Sequence, residues 1–150
     1  MLDTLMALLI LIFIGCKENK NSKDHDVNTN SELIQSVEVV SAGGELGFSS
    51  KTSIDKDSIH YDRTVAANPS DSLSYNRKMK SEDWKNLEDR IDLKMFGATK
   101  EGPSVQPVDG IDTRIIITTS AGEISKMNAQ NNPQWKNILG IIDQYNDEYK

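Results

Sequence analysis

The stretch Ile111-Asp-Thr-Arg-Ile-Ile-Ile-Thr-Thr119 decides the fold class, because it is the clearest β-strand in the sequence. It is rich in β-branched residues, which favour strands. Ala121-Gly122 then turns the chain into Glu123-Ile-Ser-Lys-Met127. Two such runs joined by a short turn that contains glycine are typical of a β-hairpin. The sequence therefore predicts an antiparallel sheet, around which the other elements are arranged.

Four further strands are predicted before this hairpin. Apolar and polar residues alternate, or β-branched residues cluster, over residues 34–40, 48–54, 59–65 and 73–79. Gly43, Gly44 and Gly47 separate the first two strands and predict a wide or bulged turn. Segments 66–72 and 99–110 are loops by composition.

Two helices accompany the strands. Trp84, Leu87 and Ile91 recur at helical spacing over residues 81–92, with Ser81 as the expected N-cap. Asn132-Pro133 is expected to begin the last helix, which places on one face the residues Trp135, Ile138, Leu139, Ile142 and Tyr145. We expect both tryptophans in the core rather than at a ligand. The predicted fold class is α+β, an antiparallel sheet with two helices packed on one face.

The start of the chain has a different character. The ten apolar residues from Leu5 to Ile14 are too few to span a bilayer, which takes about 20, and match the hydrophobic region of a signal peptide. Phe13-Ile14-Gly15-Cys16 resembles the lipobox of bacterial lipoproteins, although Phe13 replaces the usual leucine and the preceding residues include Asp3 and no Lys or Arg. This resemblance implies cleavage between Gly15 and Cys16, and acylation that anchors Cys16 in a membrane. The alternative is a free cysteine buried in an apolar helix.

The segment after Cys16 is predicted to be a tether. From residue 17 to 32 the only apolar residue is Val27, so the segment cannot bury enough surface to fold. The sequence Cys16-Lys17-Glu18 resembles an export signal of surface lipoproteins in Gram-negative bacteria, which favours the outer membrane or cell surface over the inner membrane. We therefore predict a signal peptide over 1–15, a lipidated cysteine and tether over 16–32, and one domain over 33–150.

The composition argues against several function classes. A net charge of −6 disfavours a nucleic-acid partner. One cysteine and two histidines leave little for a metal site, and we expect no metal and no cofactor. Asp55, Asp57 and Asp62 do not match a calcium loop, because His60 stands where that loop needs glycine. We expect no catalysis. A small hydrolase, in which His60 lies in a cleft beside a carboxylate and a serine, is the enzymatic alternative.

The run Val37-Glu-Val-Val-Ser-Ala-Gly-Gly-Glu-Leu-Gly-Phe48 resembles the opening of emfourin-type domains, small bacterial proteins that begin with a strand and a glycine-rich turn. The predicted helix, strong strand, hairpin and last helix follow in the order found in that family. The resemblance implies stoichiometric binding of a protease without catalysis, in the best-known case inhibition of a thermolysin-like metalloprotease. Glu45 replaces the usual aromatic residue. The implied partner-binding residues are Gly43, Gly44, Glu45, Leu46, Gly47 and Phe48.

Two functions remain open at this point. The first is a monomeric, lipid-anchored, non-catalytic module that binds a protein or peptide, with a metalloprotease as the most specific partner. The second is a structural or assembly lipoprotein that docks an envelope partner through a sheet edge or the 97–110 loop. An exposed turn at residues 43–48 would favour the first, and a long uncovered strand edge would favour the second.

Overall fold

The computed structural model describes residues 33–150; the predicted signal peptide, Gly15, Cys16 and the tether lie outside the described residues. The described part contains six strands: β1 (Ile34–Gly43), β2 (Phe48–Asp55), β3 (Ser58–Val65), β4 (Leu73–Lys78), β5 (Ile111–Thr119) and β6 (Gly122–Met127). It contains three α-helices: α1 (Ser81–Asp89), α2 (Leu93–Gly97) and α3 (Pro133–Tyr149). Short 3₁₀ turns interrupt the two predicted loops, at Pro69–Asp71 and Gln106–Val108.

The six strands form one antiparallel sheet in the order β4-β3-β2-β1-β5-β6. β1 to β4 follow one another as a meander, and the chain then crosses the sheet through α1 and α2 to place β5 beside β1. The prediction of an α+β fold with an antiparallel sheet is confirmed. β5 has the predicted bounds, whereas β1 runs three residues further than expected, to Gly43.

The two faces of the sheet differ because side chains alternate along each strand. On one face Val37 lies opposite both Ile54 and Ile117, and all three are buried. These residues pack in one core with apolar residues of α1 and α3, so we call this side the helix face. The opposite side, the open face, has charged residues on its central strands, among them Glu38, Lys51 and Arg114.

The two longer helices lie antiparallel on the helix face. The Tyr145 hydroxyl donates to the backbone oxygen of Asp83 at 2.9 Å and accepts from Asn86 at 2.9 Å. At the other end the Gln134 side-chain amide donates to the backbone oxygen of Arg90 at 2.8 Å. Trp84 and Trp135 are both buried in the core, as expected from their spacing. No helix within residues 33–150 is long and apolar enough to cross a bilayer.

The helix boundaries correct one part of the sequence prediction. Ser81 is not the N-cap of α1: Lys80 takes that position in an extended conformation, and its backbone N–H donates to the Tyr149 hydroxyl at 3.0 Å. The predicted single helix over 81–92 is also divided, because Asp92 caps the separate α2 by accepting from the backbone N–H of Met95. The predicted start of α3 is confirmed, since the Asn132 side chain accepts from the N–H groups of Gln134 and Trp135.

Candidate functional site

The turn between β1 and β2 has a backbone that only glycine adopts readily. Gly43, Gly44 and Gly47 have φ angles of 124°, 77° and 65°, in the region that L-residues rarely enter. A Cβ atom at Gly43 would also lie 2.4 Å from the backbone oxygen of Gly110. The glycines that the sequence singled out are therefore required both by the turn and by the loop packed against it.

Neighbouring segments hold this turn from both sides. The Gly44 N–H donates to the backbone oxygen of Gly110 at 3.0 Å. On the other side the N–H groups of Ala66 and Ala67 donate to the oxygens of Gly47 and Leu46, both at 3.0 Å. Such a turn presents its side chains at little further cost in conformational entropy when a partner binds.

The predicted partner-binding residues occupy the tip of this turn. Glu45, Leu46 and Gly47 are exposed, and the Leu46 side chain is 60% accessible to solvent. Phe48 is half-buried at the start of β2. The first of the two conditions set by the sequence, an exposed turn at residues 43–48, is therefore met.

Two more apolar side chains are exposed at the same end of the sheet. Val108 is 78% exposed, and Ile111, which lies beside Gly44, is 43% exposed. Together with Leu46 they are three of the five large hydrophobic residues that are exposed in the described part of the chain. We call this end of the molecule, formed by residues 44–47, 66–68 and 105–111, the loop end. Apolar side chains grouped in this way are typical of an interaction surface.

A groove of about 290 Å³ lies between α3 and the part of the helix face nearest the loop end. Its apolar lining comprises Val39, Phe48, Ile111 and Leu139. Its floor carries hydroxyl groups, because the aliphatic side chains of the central strands give way to Ser41 on β1, Ser50 on β2 and Thr113 on β5. We call this cavity the hydroxyl groove. The sequence prediction missed it.

One residue of α3 fastens the helix to the floor of the hydroxyl groove. The Asn146 side-chain amide donates to the Thr52 hydroxyl at 3.0 Å, and the Tyr75 hydroxyl donates to the Asn146 backbone oxygen at 3.0 Å. Ser41 and Thr113 hydrogen-bond to each other across the strands at 2.9 Å. These contacts join Ser41 to Thr113 and Thr52 to α3.

Two residues with ionisable side chains line the hydroxyl groove, Asp143 of α3 and Tyr61 of β3. Partial burial raises the pKa of the Asp143 carboxyl group above the ordinary value, and the charge of Asp147, one helical turn further on, raises it again. Within residues 33–150 Asp143 forms no ion pair with a lysine or arginine. Arg63, on the strand next to Ser50, pairs instead with Asp71. The groove thus contains a carboxylate whose charge the domain leaves uncompensated.

A second cavity, of about 360 Å³, lies at the opposite end of the sheet, where Leu33 leads into β1. Trp84 of α1 forms part of its largely apolar lining. Its rim includes Asp55 and Asp57, but the Asp55 carboxylate accepts from two backbone N–H groups of its own turn and Asp57 pairs with Lys56. The charges of these two aspartates are therefore engaged locally.

His60 lies on the open face rather than in a cleft. Its Nε2 atom is 2.5 Å from Oδ2 of Asp62, and the two side chains are 40% and 49% exposed. Ser53 is directly opposite His60 on β2, but its hydroxyl donates to Glu38 at 2.8 Å. The serine proton is therefore directed away from the imidazole, and this histidine–carboxylate pair does not activate the hydroxyl as a nucleophile.

The aspartates considered for calcium do not converge. Asp55 accepts from the N–H groups of Asp57 and Ser58 within the β2–β3 turn. Asp62 is on β3, where hydrogen bonds from Ser74 and then His60 lower the pKa of its carboxyl group. In the described part of the chain, no group of three or more histidine, cysteine, aspartate or glutamate side chains is placed to hold a metal ion.

The free edges of the sheet are short. β4 and β6 each contain six residues, and each pairs with one neighbour, β3 and β5 respectively. α2 packs against β6. Short edge strands are a common protection against pairing with other chains. The second condition set by the sequence was a long uncovered strand edge, and both free edges of this sheet are short.

No protein-family model matches this chain, and no curated protein matches it significantly. The resemblance of residues 37–48 to emfourin-type domains stays a prediction.

Proposed function

We propose that this protein is a lipid-anchored lipoprotein of the cell envelope, whose domain binds a protein or peptide partner at the loop end and has no catalytic role. The observation that supports this proposal most directly is the turn at residues 44–47, which is exposed at its tip and hydrogen-bonded at its base. A preorganised turn whose tip presents Glu45 and Leu46 can enter a cleft on a partner without a large loss of conformational entropy. Inhibition of a thermolysin-like metalloprotease is the most specific form of the proposal.

The direction of β1 also supports a partner-binding site at the loop end. β1 has ten residues, at about 3.3 Å each, so Leu33 and the loop end are separated by about 30 Å. A membrane anchor at Cys16 would join the domain at Leu33. The loop end is therefore at the other end of β1 from the residue at which the proposed tether joins the domain.

Leu46 and Leu33 give a matched test, because their side chains are 60% and 64% exposed at opposite ends of β1. We would replace each with aspartate in the full chain, purified in detergent, and titrate a thermolysin-like metalloprotease with each variant. We expect stoichiometric inhibition by the unmodified chain, a loss of at least about tenfold in Leu46→Asp, and little change in Leu33→Asp.

A partner other than a protease is tested by placing a photo-crosslinking residue at position 46 or 33 in intact cells. A crosslinked product of one defined mass at position 46 alone supports binding at the loop end. Inhibition that is unaffected by Leu46→Asp, or equal crosslinking at both positions, would contradict the proposal.

The anchor needs its own measurement. The intact mass of the chain from the membrane fraction should correspond to a start at Cys16 with added acyl groups, and Cys16→Ala should remove them. Two or three acyl chains are needed for stable anchoring. A mass that retains Met1 and has no lipid would refute the lipoprotein assignment.

The second candidate is an assembly lipoprotein that docks its partner along the outer edge of β4. The observation in its favour is that β4 pairs with β3 alone and carries Arg77 and Lys78 but no acidic residue. Such an edge could accept an extended acidic segment as a seventh strand. A photo-crosslinking residue at Asn76 distinguishes this candidate, since it would then give a product that position 46 does not.

A further inference from the structure

We propose that the hydroxyl groove binds the side chain of an arginine or lysine from an extended segment of the partner, with Asp143 as its counter-ion. This inference rests on the proposed function, since it names the chemistry that the partner presents next to the turn at residues 44–47. It concerns a different surface from the exposed apolar tip, and the two can be tested separately.

The position of the groove is the first argument. Phe48 lines the groove and is also the residue that ends the turn, and Ile111 both lines the groove and belongs to the loop end. A partner segment in contact with Leu46 can therefore continue into the groove. The groove therefore begins at the residue where the turn ends.

The size and lining of the groove are the second argument. A volume of about 290 Å³ is at the lower limit of ligand pockets, which measure about 300–1,000 Å³, and suits a single long side chain. Arginine and lysine bury an aliphatic stem against apolar residues and keep a charged head in a polar environment. Val39 and Leu139 supply apolar contacts, and the hydroxyls of Ser50 and Thr113 can accept from a guanidinium or ammonium group.

Charge is the third argument. Asp143 is in the groove without a cation from the described part of the chain, and Asp147 lies one helical turn away. A positively charged side chain would compensate Asp143 and relieve its repulsion with Asp147. An acidic side chain would add a third negative charge and is excluded on the same ground. Asp143 is exposed at the rim of the groove, and a charge-assisted hydrogen bond to a carboxylate is stronger than one between neutral groups.

The test uses the full chain in detergent and two acetylated, amidated peptides. One is Ala-Ala-Arg-Ala-Ala, and in the other citrulline replaces arginine, which keeps the shape of the side chain but removes its charge. We expect the arginine peptide to bind at least about tenfold more tightly, with backbone NMR shifts at Ser50, Thr113 and Asn146. A tenfold preference corresponds to a difference of about 1.4 kcal/mol in the free energy of binding.

Asp143→Asn is the variant that tests the counter-ion, and Asp147→Asn is its matched control. Both remove one negative charge from α3, but Asp147 does not line the groove. We expect Asp143→Asn to abolish the preference for arginine over citrulline, and Asp147→Asn to retain most of it. Loss of the preference in both variants would indicate a general effect of charge and would overturn the proposal.

Three other results would also overturn it. They are equal binding of the two peptides, no binding of either, or shifts at Ser50 and Asn146 caused by glucose but not by the arginine peptide. The last of these would assign the groove to a carbohydrate. If Leu46→Asp abolishes partner binding while Asp143→Asn leaves it unchanged, the proposed function survives and this inference fails.

Discussion

The two halves of the helix face differ although the same strands form both. Toward Leu33, Val37, Ile54 and Ile117 lie under the helices and are almost completely inaccessible to solvent. Toward the loop end, Ser41, Ser50 and Thr113 occupy the equivalent positions on the same strands and face the hydroxyl groove. One half of this face thus holds the domain together, and the other half, which we propose as the binding half, is left as a groove.

The largest expected effect is a difference in stability between two substitutions in β5, one in each half of the helix face. Ile115 is fully buried on β5, and Thr113 lies two residues before it on the same face, at the floor of the groove. Ile115→Ala should lower the free energy of unfolding by about 2–5 kcal/mol, because it leaves a cavity in the core. Thr113→Ala should lower it by about 1 kcal/mol or less, through the hydrogen bond with Ser41.

Urea denaturation of both variants measures this difference. Equal losses of stability would mean that the groove contributes as much to folding as the core does. The division of the helix face into a structural half and a binding half would then be wrong.

A smaller effect is expected at the turn that closes the binding half. Gly43→Ala would place a methyl group 2.4 Å from the Gly110 oxygen, at a φ angle of 124°. We expect it to lower stability by about 1–3 kcal/mol, the usual range for a strained backbone position. Gly140→Ala, in the middle of α3 with no atom near the new methyl group, should instead raise stability by about 0.5–1 kcal/mol.

Thermal unfolding should show a lower Tm for Gly43→Ala and a higher Tm for Gly140→Ala than for the unmodified chain. A neutral Gly43→Ala would show that the turn rearranges freely. The turn would then not be preorganised for a partner.

The smallest effect concerns Asp143, and its sign depends on pH. Because the pKa of Asp143 is raised in the folded state, folding takes up protons, and stability falls as the pH rises through that raised pKa. Asp143→Asn removes the cost of the charge and should stabilise the domain by about 0.2–0.5 kcal/mol at neutral pH, the usual value for a like-charge pair one helical turn apart.

Urea denaturation at about pH 7 and about pH 4 tests this sign, because the ordinary pKa of aspartate is about 3.9. The gain should shrink at the lower pH, because the raised pKa leaves the wild-type carboxyl group more protonated there than an ordinary aspartate. A variant that is less stable at neutral pH would show that Asp143 supports the fold rather than the binding half.

The sequence predicted local features better than features that depend on which strands are neighbours. β5 is strongly β-branched and its bounds were correct, and the Asn132-Pro133 start of α3 follows from capping chemistry alone. The end of β1 was missed because Ser41 and Ala42 have no apolar pattern, and pairing with β2 and β5 on both sides extends the strand.

The predicted turn is present, but the groove beside it could not have been predicted. Ser41 and Thr113 are 72 residues apart in the chain, and they meet only because β5 is inserted beside β1. The signal that was available is the change from aliphatic to hydroxyl residues along each central strand. This change indicates a groove only when the strand order is known, because that order brings the hydroxyl residues side by side.

The central position of β1 has a mechanical consequence. The chain enters the domain at the start of β1, and the same strand ends at the turn proposed to hold the partner. A pull between an anchor and that partner would act along a strand that is hydrogen-bonded on both sides, to β2 and β5. Hydrogen bonds to two neighbouring strands would share such a load, whereas an edge strand would share it with one neighbour only. If the domain is anchored and partner-bound as proposed, its central strand would connect the two points of attachment.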